Sequence, residues 1–110
     1  MTVVSIETTL ADVKRSVVFS PDAVRQDRRL KAVERSLLRD AIEQQLGETD
    51  ALAETRHKFR LRRASPYADF ELRVQDLPVF YRVEGNQLQV ALIGRKRGDR
   101  VIVEGKVFVL

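Results

Sequence analysis

Two clusters of basic residues are the part of this sequence that could do chemistry. The first, RHKFRLRR over residues 56–63, holds five Lys/Arg, and the second, RKRGDR over residues 95–100, holds four. Such side chains bind phosphates and stabilise the negative charge that develops when a phosphate ester is cleaved. If the fold joins the clusters, they form one electropositive surface for RNA or for an acidic protein segment. If it separates them, they are two solvated charged surfaces.

The charge of the chain is distributed unevenly between its halves. Residues 1–55 hold 8 Lys/Arg and 10 Asp/Glu, a net charge of −2, whereas residues 56–110 hold 12 and 6, a net charge of +6. The basic character therefore belongs to the second half. This asymmetry predicts an acidic partner, either a nucleic acid or an acidic protein segment.

Composition excludes several classes of protein. The chain has no cysteine, so it has neither a disulfide framework nor a thiolate metal site. Its longest apolar runs fall far short of the ~20 residues that span a bilayer, and no signal-peptide pattern opens the sequence. We therefore expect a cytoplasmic protein. At 110 residues, 44% of them hydrophobic, residues 1–110 are predicted to form a single domain.

Three predicted strands lead directly into the second basic cluster. Residues 68–97 read ADFELRVQDLPVFYRVEGNQLQVALIGRKR, with apolar residues at alternate positions in each strand. The short links at residues 75–76 and 84–86 favour an antiparallel meander. In the first cluster Phe59 and Leu61 alternate with basic residues, which indicates an edge strand or an extended arm.

A helical pair is predicted before these strands. A short strand over residues 15–19 ends at Ser20-Pro21-Asp22, where a serine cap and a proline at the first helical position favour a helix start. Polar residues near 26–29 predict a break between two helices, and Gly47 predicts the end of the second. We expect its apolar face to pack on the strands; the helix residues are Leu30, Val33, Leu37, Ala41 and Ile42, and the strand residues are Phe70, Leu72, Val79, Tyr81, Val90 and Leu92.

This order of elements predicts an α+β fold. The helical pair should pack on one face of a mainly antiparallel sheet of about four or five strands. Residues 1–13 are either an extension or an added edge strand. After the basic cluster, VIVEGKVFVL predicts a short strand, a tight turn at Glu104-Gly105 and a returning strand.

The combined pattern resembles the RelE/ParE superfamily of toxins from bacterial type II toxin–antitoxin systems. ELRV at residues 71–74, VFYRVEG at 79–85 and IGRKRG at 93–98 carry the resemblance, with a toxin domain over residues 14–103. The resemblance implies a small basic toxin, without a cofactor, that an antitoxin neutralises by wrapping it. It also implies one of two activities, either metal-independent cleavage of ribosome-bound mRNA or inhibition of a protein target such as DNA gyrase. A third hypothesis is that the protein is an inactive antitoxin-binding module.

Only some of the nuclease positions match. Arg62 stands where the family has a phosphate-contacting arginine, Lys96 stands where it has a catalytic arginine, and Arg97 beside it is the third catalytic candidate. The predicted nucleic-acid contacts are Lys58, Arg60, Arg63, Arg73, Arg95 and Arg100. The family's two strand lysines are replaced by Asp69 and Glu71, an arginine by Pro78, and a tyrosine by Ile102. Either the site is built from other basic residues, for which the candidates are Arg60, Arg73, Arg82 and Arg97, or the protein cleaves nothing.

Overall fold

A computed structural model describes residues 5–10, 13–44, 58–61, 68–85 and 87–108 of the chain. The fold is α+β, as predicted. Two helices, α1 (Pro21–Arg28) and α2 (Ala32–Ile42), follow the first two strands. The strands are β1 (Ser5–Leu10), β2 (Val13–Phe19), β3 (Lys58–Arg60), β4 (Phe70–Val74), β5 (Leu77–Glu84), β6 (Gln87–Ile93), β7 (Arg95–Arg97), β8 (Arg100–Val103) and β9 (Lys106–Phe108).

The strands form two sheets rather than the single sheet that the sequence predicts. The larger sheet has six strands in the order β1-β2-β6-β5-β4-β3, and the smaller has three in the order β7-β8-β9. β2 and β6 are parallel, and the other neighbours are antiparallel. The predicted meander of β4, β5 and β6 is confirmed. Residues 5–10, for which the sequence left two alternatives, form the outermost strand beside β2.

The start of α1 follows the predicted capping pattern. Ser20 is the N-cap, and its hydroxyl accepts a hydrogen bond from the Ala23 amide at 3.0 Å, while Pro21 occupies the first helical position. The predicted break between the helices is confirmed, since α1 ends at Arg28 and α2 begins at Ala32. The predicted helix end at Gly47 lies outside the described residues.

A β-bulge in β6 ties the start of α1 to the sheet. Phe80 pairs with Leu92 and Tyr81 with Val90, which leaves Ala91 as the extra residue. The Ser20 hydroxyl donates to the Ala91 carbonyl at 2.6 Å, and the Ser20 amide donates to the Val90 carbonyl at 2.9 Å. The bulge therefore supplies the carbonyls that hold this end of the helix.

The bulge also divides the buried side chains of β6 between two hydrophobic clusters. The main cluster contains Leu88, Val90 and Ile93 with residues of both helices and of β2, β4 and β5. Leu92 instead belongs to a smaller cluster with Ala68 and Phe80, against which Val101 and Val103 of β8 pack. The prediction that Leu92 shares the main core was wrong, because the extra residue reverses the alternation of faces along the strand.

Helix α2 is rotated relative to the predicted apolar face. Leu38 and Ile42 are completely buried in the main cluster, and Leu30 and Ala41 pack against it. Val33 and Leu37, which were predicted to pack on the sheet, are 64% and 38% exposed. The prediction was wrong at these two positions, since leucines stand at both 37 and 38 and the apolar spacing alone does not choose between them.

Polar contacts between the helices explain that rotation. The Arg35 guanidinium donates to the carbonyls of Asp27 and Arg28 at the end of α1, at 3.3 and 3.2 Å, where the last turn of a helix leaves carbonyls without helical partners. Arg39 donates to the buried Asp27 carboxylate at 2.8 Å and lies over the Phe19 ring. Arg35 and Arg39 therefore turn toward α1, and Leu38 turns into the core. Within the described residues, neither helix is long and apolar enough to cross a membrane.

Candidate functional site

The second basic cluster forms a hairpin, the basic hairpin, made of β7, β8 and the turn between them. Arg95 pairs with Ile102, Lys96 with Val101, and Arg97 with Arg100. The turn passes through Gly98 at φ 63°, a conformation that glycine adopts without a steric penalty. Arg97 and Arg100 are exposed and directly opposite each other, so two basic side chains start from one face at the end of the hairpin.

Lys96 and Arg97, two of the three predicted catalytic residues, project to opposite sides of β7. Consecutive residues of a strand alternate between its faces. Lys96 lies opposite Val101, whose side chain packs on the smaller cluster, whereas Arg97 lines a pocket on the other side of the hairpin. The third predicted residue, Arg62, lies outside the described residues. The structure therefore does not bring Lys96 and Arg97 onto one face.

Arg95 fastens the basic hairpin to the rest of the fold. Its guanidinium donates to the Glu34 carboxylate of α2 at 2.8 Å and to the Asp76 carboxylate at 3.2 Å. The Lys31 amide donates to Glu34, and this bond, followed by the one from Arg95, lowers the pKa of the Glu34 carboxyl. Arg95, predicted to bind nucleic acid, already has two carboxylate partners in this fold.

Gly94 lets the hairpin approach the sheet closely. A Cβ atom at this position would lie 2.9 Å from Val101 Cγ1 and 3.1 Å from the Ile102 carbonyl oxygen. The Gly94 amide donates to the Pro78 carbonyl at 2.9 Å. Pro78, the second residue of β5, thus supplies the acceptor that holds the chain where β6 leads into β7.

Two arginines on the central strands form ion pairs with carboxylates. Arg73 lies 2.9 Å from Glu71, and Arg82 lies 3.3 Å from Asp69. Glu71 is only 6% exposed, because it lies between Phe59 and Phe80 on the neighbouring strands. The positions where the resembled nucleases carry lysines are therefore occupied by ion-paired carboxylates.

The first basic cluster is only partly exposed in the described residues. Lys58 lies opposite Leu72, on the side of the main cluster, and is completely buried. Its ammonium group is therefore not part of an exposed basic surface. Arg60 is exposed, with its guanidinium 4.8 Å from the centre of the Phe70 ring. The predicted contact Arg63 lies outside the described residues.

A pocket of about 480 Å³ lies between α1, the basic hairpin and the turn before β9. Its lining combines arginines with aliphatic side chains and one carboxylate, Glu104. No pattern in the sequence predicted this pocket. The Glu104-Gly105 turn was predicted and is confirmed, but its partners on α1 lie far away in sequence, and local patterns carry no signal for such a contact.

Glu104 joins the small sheet to α1. Its carboxylate accepts hydrogen bonds from Arg25 at 2.5 and 2.9 Å and from the Gln26 amide at 3.3 Å. Gln26 also accepts a bond from the Ile93 amide at 2.7 Å, so one buried side chain connects the helix, β6 and the turn. The hydrogen bonds from Arg25, then from Gln26, lower the pKa of the Glu104 carboxyl to about 2.

This lowered pKa predicts a specific acid sensitivity. A carboxyl with a depressed folded-state pKa stabilises the fold above its ordinary pKa of 4.5, and that stabilisation is lost as the pH falls toward 2. Glu104→Gln should therefore be less stable than the wild type at neutral pH, and the difference should shrink between pH 4.5 and 2. Urea unfolding at a series of pH values measures this. Asp99→Asn, a change at an exposed turn residue, serves as the control; an equal trend in both variants would contradict the assignment.

The described residues contain no group of three or more His, Asp or Glu side chains placed to hold a metal ion. Comparison of the chain with models of known protein families, with curated proteins and with solved structures finds no match in any of the three.

Proposed function

We propose that the chain is the toxin component of a bacterial type II toxin–antitoxin system, with a RelE/ParE-like fold and a cytoplasmic site of action. The order of strand, helical pair and antiparallel strands supports this. ELRV lies in β4, VFYRVEG covers most of β5 and its turn, and IGRKRG covers the end of β6 with β7. The joint burial of Leu38 and Ile42 with residues of the larger sheet is in keeping with a helical pair packed on that sheet.

The activity that we propose is cleavage of ribosome-bound mRNA. The exposed pair of Arg97 and Arg100, fastened to the fold through Arg95, carries this proposal. In such a reaction the ribose 2′-oxygen attacks the neighbouring phosphorus, its proton passes to solvent, and the 5′-oxygen of the next nucleotide leaves and takes up a proton. The guanidinium groups bind the phosphate oxygens and offset the charge that grows on them in the transition state.

A second function, inhibition of a protein target such as DNA gyrase, is favoured by a different observation. Glu71 and Asp69 pair with Arg73 and Arg82, and Lys96 projects away from Arg97. Basic side chains that are ion-paired, or that project to different faces, suit contacts with a protein surface better than they suit a phosphate-cleaving centre. An inactive antitoxin-binding module is the third alternative.

Inducible expression in growing bacteria tests the proposal. Growth should stop after induction, and incorporation of a labelled amino acid into protein should fall before DNA synthesis does. A change in plasmid supercoiling with protein synthesis initially intact would favour the gyrase alternative. Unchanged growth at a verified level of folded protein would contradict a toxin.

A further inference from the structure

Arg95 joins the basic hairpin to two separate parts of the fold. Its Nη2 atom donates to the Glu34 carboxylate at 2.8 Å, and its Nη1 atom donates to the Asp76 carboxylate at 3.2 Å. Glu34 lies in the first turn of α2, whereas Asp76 lies in the turn between β4 and β5. One side chain of β7 is therefore held from two directions, by a helix and by a turn of the larger sheet. We name these three residues the Arg95 clamp.

Both carboxylates of the Arg95 clamp have a second attachment. The Oε1 atom of Glu34 accepts a hydrogen bond from the Lys31 amide at 3.1 Å, while its Oε2 atom accepts from Arg95. Asp76 contacts β7 through its backbone as well, because its carbonyl accepts a hydrogen bond from the Lys96 amide at 2.6 Å. The partners of Arg95 are thus fixed in place, and the clamp restrains the position of β7.

The Arg95 clamp also restrains the strand face that carries Arg97. Arg95 and Arg97 are two residues apart on β7, so they lie on the same face of the strand, and both line the same pocket. Arg97 is exposed and lies opposite Arg100. An anchored arginine and an exposed arginine therefore share one face of a three-residue strand, and a shift of the first would move the second.

The charges of the clamp make Arg95 a poor contact for a phosphate. Hydrogen bonds from its guanidinium already go to Glu34 and Asp76, and a phosphate that approached it would be repelled by both carboxylates. At the end of the hairpin, by contrast, Arg97 and Arg100 place two basic side chains on one face. This distribution of charge directs a phosphate toward Arg97 and away from Arg95.

We propose that Glu34 is a positioning residue for the cleavage reaction. Through Arg95 it holds the basic hairpin so that Arg97 reaches the reacting phosphate, and Glu34 itself does not contact the RNA. This inference rests on the mRNA cleavage proposed above. Small displacements of a group that stabilises a transition state have large effects on rate, so loss of the clamp lowers the rate at saturation more than it lowers binding.

Glu34→Gln tests this role, because it removes the charge of the side chain and keeps its shape. In single-turnover cleavage of mRNA bound to purified ribosomes, we expect the rate at saturating protein to fall by about tenfold or more. The half-saturating concentration should change by less than about threefold. Glu43→Gln is the matched control, since it makes the same substitution at the exposed residue that follows α2, and it should keep the wild-type rate.

A double variant tests whether Glu34 acts through Arg95. Arg95→Gln should also lower the rate, and Glu34→Gln/Arg95→Gln should lose no more than Arg95→Gln alone, because both changes break the same contact. If Arg95 instead held a phosphate, Glu34→Gln would free its guanidinium and bind the RNA more tightly without losing rate. That result, an unchanged rate in Glu34→Gln, or an equal loss in Glu43→Gln would each overturn the proposal.

Hydrogen exchange measured by NMR tests the clamp without any activity. The Lys96 amide, which is bonded to the Asp76 carbonyl, should exchange about threefold faster or more in Glu34→Gln, because a loosened hairpin opens more often. Amides of β5 should exchange as in the wild type. Unchanged exchange at Lys96 would overturn the proposal, whether or not the protein cleaves RNA. A wild type that cleaves no mRNA would instead overturn the proposed function, so the two failures are distinguishable.

Discussion

Leu38→Ala should lower the free energy of unfolding by about 2–5 kcal/mol, the range for removing a buried leucine side chain. Leu38 is completely buried and belongs to the main hydrophobic cluster. On one side Arg39 is held by Asp27, which limits how far α2 can shift to fill the space. The chain has no tryptophan, so urea denaturation followed by circular dichroism measures the change.

Leu37→Ala is the matched control, because it makes the same substitution one residue away on the same helix. Leu37 is 38% exposed, and we expect a loss below about 1 kcal/mol, close to the range for surface positions. Equal losses in the two variants would mean that α2 does not present Leu38 to the core. A larger loss for Leu37→Ala would restore the helix face predicted from the sequence.

Local sequence patterns predicted which segments form helices and strands better than they predicted which side of each element is buried. The capping residues Ser20 and Pro21 and the antiparallel pairing of β4 with β5 depend on neighbours in sequence, and their predictions are confirmed. The predicted alternation of buried and exposed residues was wrong for β5, whose first five residues are all buried. The inward face of α2 depends on contacts of Arg35 and Arg39 with α1. Such contacts form only when the helices pack, and amphipathic spacing with leucines at both 37 and 38 leaves the choice open.

The candidate site shows the same division. The basic hairpin could be predicted, because RKRGDR combines charge with a glycine turn. The opposite directions of Lys96 and Arg97 follow from strand alternation, which becomes decisive only once these residues are known to form a strand rather than a turn. The pocket depends on Gln26 and Arg29 meeting residues more than seventy positions later, such as Glu104. No local signal reports that contact.

Arg97→Ala should reduce the rate of mRNA cleavage by about 10²–10³-fold, the loss seen when one donor to a developing oxyanion is removed. Binding of RNA should fall less than the rate, because the charge on the phosphate grows only as the reaction proceeds. Stability should be nearly unchanged, since Arg97 is exposed. Single-turnover cleavage of mRNA bound to purified ribosomes measures the rate.

The comparison with Lys96→Ala makes that experiment specific. Lys96 neighbours Arg97 in sequence but lies on the other face of β7. A large loss in both variants would mean that the RNA contacts both sides of the hairpin, whereas a loss in Arg97→Ala alone would place the reacting phosphate beside Arg97 and Arg100. Lys106→Ala, at an exposed base on β9, controls for loss of charge. An unchanged rate in Arg97→Ala would remove this residue from the catalytic set.

The 5′ ends of a reporter mRNA, mapped by primer extension in growing cells before and after induction of the protein, test the proposed function most directly. Growth should stop and new 5′ ends should appear inside the translated region, and those ends should be lost in a Lys96→Ala/Arg97→Ala double variant that is expressed and folded. Growth arrest with no new 5′ ends would contradict mRNA cleavage as the activity of this protein.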